Sequence, residues 1–563
     1  MALSTNEAPR GLTRDVLRVC VLFLLLGVAI SLTQLIQVRL KFRRLKKKGV
    51  PMLPHSLLFG HIPTLAKLTK GLPRDIHSNY VPQLICENWK TFFPDRKSCP
   101  PVIYIDSWPI APPVIYIFDP ETGAECLSNS SVSRSHNVLD FIEPITENLD
   151  MVSMEGEPWK EWRARFNPAF SIKNVTTLIP GMIYDVATFA SIVRQHAGTG
   201  GDWGPVFVLQ ELTTNLTLDI IGRSTLGMEL HEQTNGPSKL KAAFMDQMGW
   251  CMFNFNIIDT LKWYSPVRMW RVARNRSSMR KELYLPVTER LEIKGDDKLK
   301  TIVDQAIKPI KDTAYEEPPS IDSLFISTVM SQLKLFMFAG HDTTATTLCW
   351  VLHIIGKNPE IAAKVRAEHD EVLGKDITEL SARLTESPHL LNSLPYTAGI
   401  IKEALRLYPA VGALRQGASH YQIVDRETGV KYPTDNCMLF DSSRSLSRAD
   451  ELWHRAKEAI PERWLTTDTE DPLYPPKNAW RRFGSGPRIC IGQELAMTEM
   501  KLVVVFLARE FDIDCAWDKW DALKKQTGPK VLVEGHRCYQ TEHGTPHVKD
   551  GMPVHVRRRE MAI

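Results

Sequence analysis

The stretch Phe483-Gly484-Ser485-Gly486-Pro487-Arg488-Ile489-Cys490-Ile491-Gly492 leaves the backbone few arrangements. Gly484, Gly486 and Gly492 tolerate tight bends that other residues resist, and they leave room beside them for something flat and bulky. From Ala496 onward, Ala496, Met500, Val503, Val504 and Leu507 recur at helical spacing, so a helix is predicted to start just after Cys490. At a helix N-terminus the free N–H groups and the aligned peptide dipoles favour negative charge, which makes Cys490 a candidate thiolate. Arg488, close before the sulfur, is placed to pair with a carboxylate. The plain alternative for a single cysteine is a buried, inert thiol.

A lone thiolate with glycine clearance and a nearby arginine suits axial ligation of haem iron. Phe483, Gly486, Arg488, Cys490 and Gly492 fit the pattern F-x-x-G-x-R-x-C-x-G, and on these residues the chain resembles the cytochrome P-450 family. The resemblance implies a mainly α fold with small β-sheets, a single haem domain behind an N-terminal transmembrane helix. It implies haem b (iron protoporphyrin IX) held by the Cys490 thiolate, with Phe483, Gly486, Arg488 and Gly492 around the cofactor.

Further motifs extend the likeness. Ser323 to His353 reads as one long helix, stopped by Gly356-Lys-Asn-Pro359. Within it, Ala339-Gly340-His341-Asp342-Thr343-Thr344 contains poor helix formers, and a threonine hydroxyl can take a preceding carbonyl and bend the helix. Read alone, this run serves equally as a kinked structural helix or as an opening for dioxygen and water, with Asp342 and Thr343 handling protons. It matches the family motif A/G-G-x-D/E-T-T/S, and the resemblance makes Asp342 and Thr343 the catalytic pair of a monooxygenase. Glu155-Gly-Glu-Pro158-Trp159 opens another helix. Trp159 and Arg163 share a face of it. In the family a W-x-x-x-R pair holds one haem propionate, and Arg415 matches a position that meets the other. A surface charge beside a core aromatic is the bland alternative.

Glu403 and Arg406 lie at i,i+3 spacing, and Arg463 follows in Pro461-Glu-Arg463-Trp464. Alone, such a pair is an ordinary solvated one. In the family these residues form a Glu–Arg–Arg cluster that locks the core behind the cysteine. Trp464 stands where phenylalanine is more usual, Ile460 where an aromatic is common, and Ser445-Leu-Ser447-Arg448 where a histidine-containing segment is expected.

Val19 to Val38 is 20 residues without a charge, enough to span a bilayer as a helix. Arg39, Lys41, Arg43, Arg44, Lys46, Lys47 and Lys48 follow, which places that side in the cytosol. A cleaved signal peptide would have a shorter apolar region and a small-residue cleavage site. The expected organisation is a lumenal tail over 1–18, a transmembrane anchor over 19–38, a basic and Pro/Gly-rich hinge over 39–65, and a haem domain over 66–563. The catalytic body then faces the cytosol from the endoplasmic reticulum membrane. Pro100-Pro-Val-Ile-Tyr-Ile105 recurs as Pro112-Pro-Val-Ile-Tyr-Ile117 and predicts an antiparallel hairpin. Ser128 to Glu147 reads as a polar loop, and Leu209 to Ile221 as an amphipathic helix ending near Gly222. From Lys239 to Asp312 the pattern is weak, with Trp250, Phe253, Phe255, Trp263 and Trp270 fitting either an apolar lid or core.

A net charge of +4 is too mild for nucleic acid, and the ten scattered cysteines suit a reducing compartment. No dinucleotide fingerprint follows a strand, so electrons come from outside. The resemblance implies NADPH–cytochrome reductase as partner, with NADPH the indirect electron source. Lys160, Arg165, Lys477, Arg481 and Arg482 are candidates for its basic docking face. The substrates implied are O2 and an apolar small molecule. Trp480 to Lys501 and the C-terminal segments resemble fungal enzymes of secondary metabolism, which points to a polyketide or terpenoid, with a fatty acid second. A haem-thiolate isomerase or dehydratase, and a non-catalytic haem sensor, are the other readings. Asp342 and Thr343 argue against both.

Overall fold

The repeated apolar run folds as an antiparallel pair, Val102–Ile105 against Val114–Ile117, with Val102 opposite Ile117 and Ile105 opposite Val114. All four residues of the first strand are buried, as a run with no polar alternation requires. Met438–Asp441 adds in parallel to the second strand, and Ala413–Gln416 completes a four-stranded sheet. The computed structural model describes residues 10–129, 131–253, 257–292, 301–312, 323–525, 528–543 and 545–559. Within these residues the small sheets are set into a mainly α body, the expected fold class.

The helix Ser323–Lys357 is the axis of that body. It is apolar on nearly every side, and from Thr328 to Met337 and Thr344 to Leu352 every residue is buried. A helix of this kind has to be surrounded. It packs on the helices Leu209–Leu226, Pro395–Leu407 and Gln493–Glu510. Gly340 permits the closest approach: a Cβ there would lie 3.0 Å from Ile221 Cδ1. The helix runs through the Gly340–Thr344 segment without a break.

Among the described residues three helices are long and apolar enough to cross a membrane, but the apolar windows of Ile172–His196 and Ser323–Lys357 are 44% and 56% buried inside the protein. The third, Leu25–Lys47, is 11% buried. It is the C-terminal part of one helix, Arg10–Lys47, whose Leu22, Leu25, Leu26, Leu32 and Ile36 are exposed. Its end is docked. Arg39, expected among free basic residues, is buried and bonds both Asp106 oxygens at 2.5 Å, Leu58 O at 2.9 Å and Trp108 O at 2.8 Å. Phe42 and Leu45 are buried beside the sheet. The Pro/Gly-rich stretch that follows is packed as well: Val50, Met52 and Leu53 are buried, and Tyr104 N–H donates to Pro51 O at 3.0 Å.

Three sequence expectations need correction. The stretch read as loop over Ser128 to Glu147 contains the helix His136–Thr146, because Ile142 and Ile145 face the core among polar neighbours. The helix from Leu209 continues past Gly222 to Leu226, where Gly227 at φ +71° ends it, and it is buried on most sides. The weak-pattern region is helical over Lys239–Met248, Ile257–Trp263, Pro266–Glu292 and Ile302–Asp312. Its aromatics do not form one lid: Trp270 is 59% exposed, whereas Phe253 stacks on Phe141 with centroids 4.8 Å apart. Phe255 lies outside the described residues.

Candidate active site

The cysteine loop is shaped by its glycines as expected. Cys490 N–H donates to Phe483 O at 2.7 Å, closing the loop, and Gly484 and Gly486 take φ +82° and +69°. A Cβ on Gly486 would sit 2.7 Å from Ser128 Cα, so that position admits no side chain. Ser485 and Ser128 join their hydroxyls across the same contact at 2.9 Å. The helix Gln493–Glu510 starts just beyond Gly492.

Burial pushes the Cys490 thiol up from its ordinary value, while the Gly492 N–H and the Arg163 guanidinium pull it down. The helix-terminus argument alone therefore does not secure the thiolate here, because desolvation outweighs it. The sulfur is nonetheless accessible, unlike the buried Cys126, Cys349, Cys437 and Cys538. A deep, desolvated group with an accessible surface faces an internal space.

Arginines gather on one side of that space. Arg488 bonds Glu155 at 2.5 Å and the carbonyls of Met151 and Met154 at 3.2 and 2.9 Å, with its guanidinium 4.0 Å from the Trp159 ring centroid. Arg163 is held down by burial and feels Cys490. Arg415 is buried and donates to Leu127 O at 3.1 Å. Sequence reasoning missed Arg134, which bridges Arg415 at the sheet edge. A lone arginine in a polar stretch carries no signal; only the pairing of distant strands puts it here. Burial and the neighbouring Arg415 and Arg488 push Arg134 down to about 10, and its Nε has no hydrogen-bond partner. Glu155 and Asp150 are the acids that Arg134 feels.

Trp159, Arg163, Arg415 and Arg488 thus form one linked group, which reaches Cys490 through Arg163. The implied group is haem, and these residues fit it: a solitary sulfur ligand, a space beside glycines, and more guanidinium than carboxylate charge, suited to two propionates.

Asp342 and Thr343 diverge. Thr343 Oγ1 donates to Ala339 O at 2.7 Å, the back-bond expected from the sequence, and Ala339 is exposed in the middle of a mostly buried helix. Asp342 is buried and points to the C-terminal hairpin formed by Gln540–His543 and Thr545–Val548. There it pairs with His547 Nε2 at 2.6 Å and accepts from Thr545 Oγ1. Burial raises its carboxyl, but the His547 bond and charge prevail and hold it below the ordinary range. His547 and Thr545 could not be singled out from a segment without a motif. His547 also lines a cleft of about 890 Å³ together with Asp75, Lys241 and His543.

Behind the loop, Glu403 binds Arg406 at 2.7 Å and Arg463 at 3.6 Å, with all three buried. Arg406 gathers the carbonyls of Ser447, Ala456 and Glu458, and Arg463 those of His454 and Arg455. Trp464 improves on the usual phenylalanine, since its indole N–H donates to Glu403 at 3.1 Å.

The basic docking face is not realised as expected. Arg481 is buried against Asp441 at 2.5 Å, and Arg482 bonds Ser443 O at 2.9 Å and the Ser447 hydroxyl. Lys160 and Arg165 remain at the surface, paired with Glu157 and Glu161 of their own helix, and Lys477 is exposed.

A family model described as cytochrome P-450 matches residues 105–535. The chain is 36% identical over 567 aligned residues to the cytochrome P-450 monooxygenase polC of Polytolypa hystricis, covering 99% of this chain and 98% of that protein. It is 28% identical to the cytochrome P-450 monooxygenase acrF of Aspergillus aculeatus, covering 81% of this chain and 94% of the other. A crystal structure of a cytochrome P-450, CYP102L1, superposes with a TM-score of 0.67 at 18% identity, covering 91% of this chain and 99% of that one. This last likeness concerns the fold alone.

Proposed function

The chain belongs to the cytochrome P-450 family and is a monooxygenase; from that premise we propose that it oxidises an apolar small molecule of fungal secondary metabolism, a polyketide or terpenoid, with electrons from NADPH through a membrane-bound reductase. An N-terminal anchor helix ahead of one haem domain keeps the body at the cytosolic face of the endoplasmic reticulum. The observation that carries the reading is the accessible, desolvated Cys490 sulfur beside the guanidinium cluster.

Haem b bound there through Cys490 supplies the dioxygen-activating chemistry. Arg134, Arg163, Arg415 and Arg488 are the residues that would hold its propionates. Around it the chain's own groups position and deliver. Thr343, tied back to Ala339 through its proton, presents its oxygen lone pairs as an acceptor for water at the internal face. Asp342 stores negative charge behind it, and His547, partly exposed on the cleft, connects that carboxylate to solvent. Protons thus have a route of side chains from cleft to helix, with the Asp342 carboxylate accepting from His547 Nε2. The relatives' printed names, both fungal monooxygenases, support the reaction type.

The test is co-expression with a fungal reductase, a carbon monoxide difference spectrum, and NADPH and O2 consumption across a panel of polyketides, terpenoids and fatty acids. Substrate-dependent consumption with an oxygenated polyketide or terpenoid is expected. Turnover without NADPH, or fatty acids as the only substrates, overturns the reading. Thr343→Ala is expected to keep the spectrum and lose product.

A further inference from the structure

Away from the haem-side residues, two cysteines and a histidine meet where the C-terminal sheet closes on the end of the central helix. Cys515 ends the strand Phe511–Cys515, and His353 lies one turn before the helix ends at Lys357. His353 Nδ1 is 3.3 Å from Cys515 Sγ. Cys538, shortly before the strand Gln540–His543, is near enough to the Cys515 sulfur for the two thiols to shift each other's ionisation. The other titratable groups felt by the pair are Lys357, held by Asp514 at 2.8 Å, and the buried Cys349.

The two sulfurs are not equivalent. Cys538 is buried, while Cys515 is partly exposed and, with His353, lines a crevice of about 10 Å³. That is room for about one water molecule, so small solutes reach the sulfur from the crevice's open side. Cys538 draws the Cys515 thiol down, burial opposes this, and His353 and Lys357 add to the lowering. Burial and the Cys515 charge push Cys538 up. The cysteines at 126, 251 and 349 are each pushed up to about 12 by burial. Cys86 and Cys99 also meet, but Cys86 and burial drive Cys99 strongly upward, and no imidazole is among the groups that act on Cys99.

We propose that Cys515 and Cys538 are an oxidisable dithiol, in which Cys515, with the His353 imidazole 3.3 Å from its sulfur, reacts with hydrogen peroxide and Cys538 closes a disulfide. The Cys515 sulfur attacks the O–O bond, keeps one oxygen as sulfenic acid, and releases the other as hydroxide, which leaves as water after taking a proton from His353 or solvent. The Cys538 sulfur, giving up its proton, attacks the sulfenic sulfur and expels the second oxygen as water. Two thiols become one disulfide and one peroxide becomes two waters, and thiols of the glutathione class reverse the reaction. The bond fastens the strand Phe511–Cys515 to the start of the hairpin that carries Thr545 and His547 onto Asp342.

The test uses the full-length, reduced, haem-loaded protein in detergent. It is treated with equimolar hydrogen peroxide, alkylated with iodoacetamide, digested without reductant and analysed by mass spectrometry. A Cys515–Cys538 peptide pair is expected. Cys538→Ser should instead yield a dimedone adduct on Cys515. His353→Gln should slow the oxidation at neutral pH roughly threefold, the loss of thiolate expected when one of several groups that lower the thiol is removed. Carbon monoxide spectra verify that the variants are folded. Should His353→Gln not fold, the alkylation rate of Cys515 in the unaltered protein against pH takes its place, with a midpoint below that of an ordinary thiol expected. Free thiols at both positions after peroxide, partners other than each other, an unchanged rate in His353→Gln, or an ordinary midpoint overturns the proposal.

Discussion

Asp342 carries a buried charge that the C-terminal hairpin answers, so its partner is worth more than a surface ion pair. Removing one member of a buried pair costs about 3–5 kcal/mol, and the partial exposure of His547 puts His547→Ala near the lower end, about 3 kcal/mol. Denaturant unfolding measures this, with a loss under 1 kcal/mol refuting it. The acid limb has a definite sign. The Asp342 carboxyl titrates below its ordinary value in the folded chain, so its stabilisation is present above about pH 4 and is lost as pH falls through the lower folded value. Asp342→Asn should flatten that limb in a series of unfolding midpoints against pH. Arg134 obeys the opposite logic. It is crowded by Arg415 and Arg488, so Arg134→Ala should leave the haem-free chain no less stable. It should nonetheless speed haem transfer to apomyoglobin roughly tenfold, as loss of one charge-assisted bond of about 1.5 kcal/mol implies. Equal haem retention in the variant would remove Arg134 from the propionate cluster.

The Glu403 cluster shows how one helix organises a distant coil. Pro395–Leu407 presents Glu403 and Arg406 on one buried face, and Arg406 and Arg463 then collect five backbone carbonyls between Ser447 and Glu458. Trp464→Phe restores the residue more usual in the family but removes the indole bond to a carboxylate, at a cost of about 1.5–3 kcal/mol. Its thermal midpoint should fall while haem incorporation persists, whereas Glu403→Gln should abolish soluble haem-loaded protein. An unchanged midpoint in Trp464→Phe would show the bond to be idle. These elements were legible because spacing writes them into the chain: i,i+3 on a helix, a repeated apolar run in a hairpin, glycines about a cysteine. What spacing does not write was missed. His136–Thr146 buries only a few apolar residues among polar ones, so its periodicity is faint. His547 and Arg134 acquire their roles only when segments far apart in sequence pair, and no local pattern records that. Arg481 and Arg482 misled because a basic pair looks alike on a surface and against Asp441.

At the scale of the whole molecule, one helix passes from an exposed apolar stretch into the packed body. Residues of the N-terminal helix up to Val38 are mostly exposed and apolar, and beyond them Arg39, Phe42 and Leu45 are buried in the body. Packing on the body therefore begins at about Val38 and Arg39, inside an unbroken helix and ahead of the glycine and prolines that follow it. Asp106, fully buried, depends on Arg39, with His55 as its other close partner at 2.9 Å. Truncation before Arg39 should yield a folded, haem-binding body. Truncation after Lys47 strips Asp106 of its guanidinium and exposes the sheet side once covered by Phe42 and Leu45, a loss of about 3–5 kcal/mol or more. The first truncation should still bind vesicles weakly. Leu57, Leu58 and Phe59 are 56–61% exposed beside the helix end, where Arg39 holds the Leu58 carbonyl. Changing all three to serine in that truncation should release it from liposomes in a flotation assay, and retention of the triple variant would refute a membrane contact there. Equal thermal midpoints for the two truncations would mean that the helix end is not part of the body.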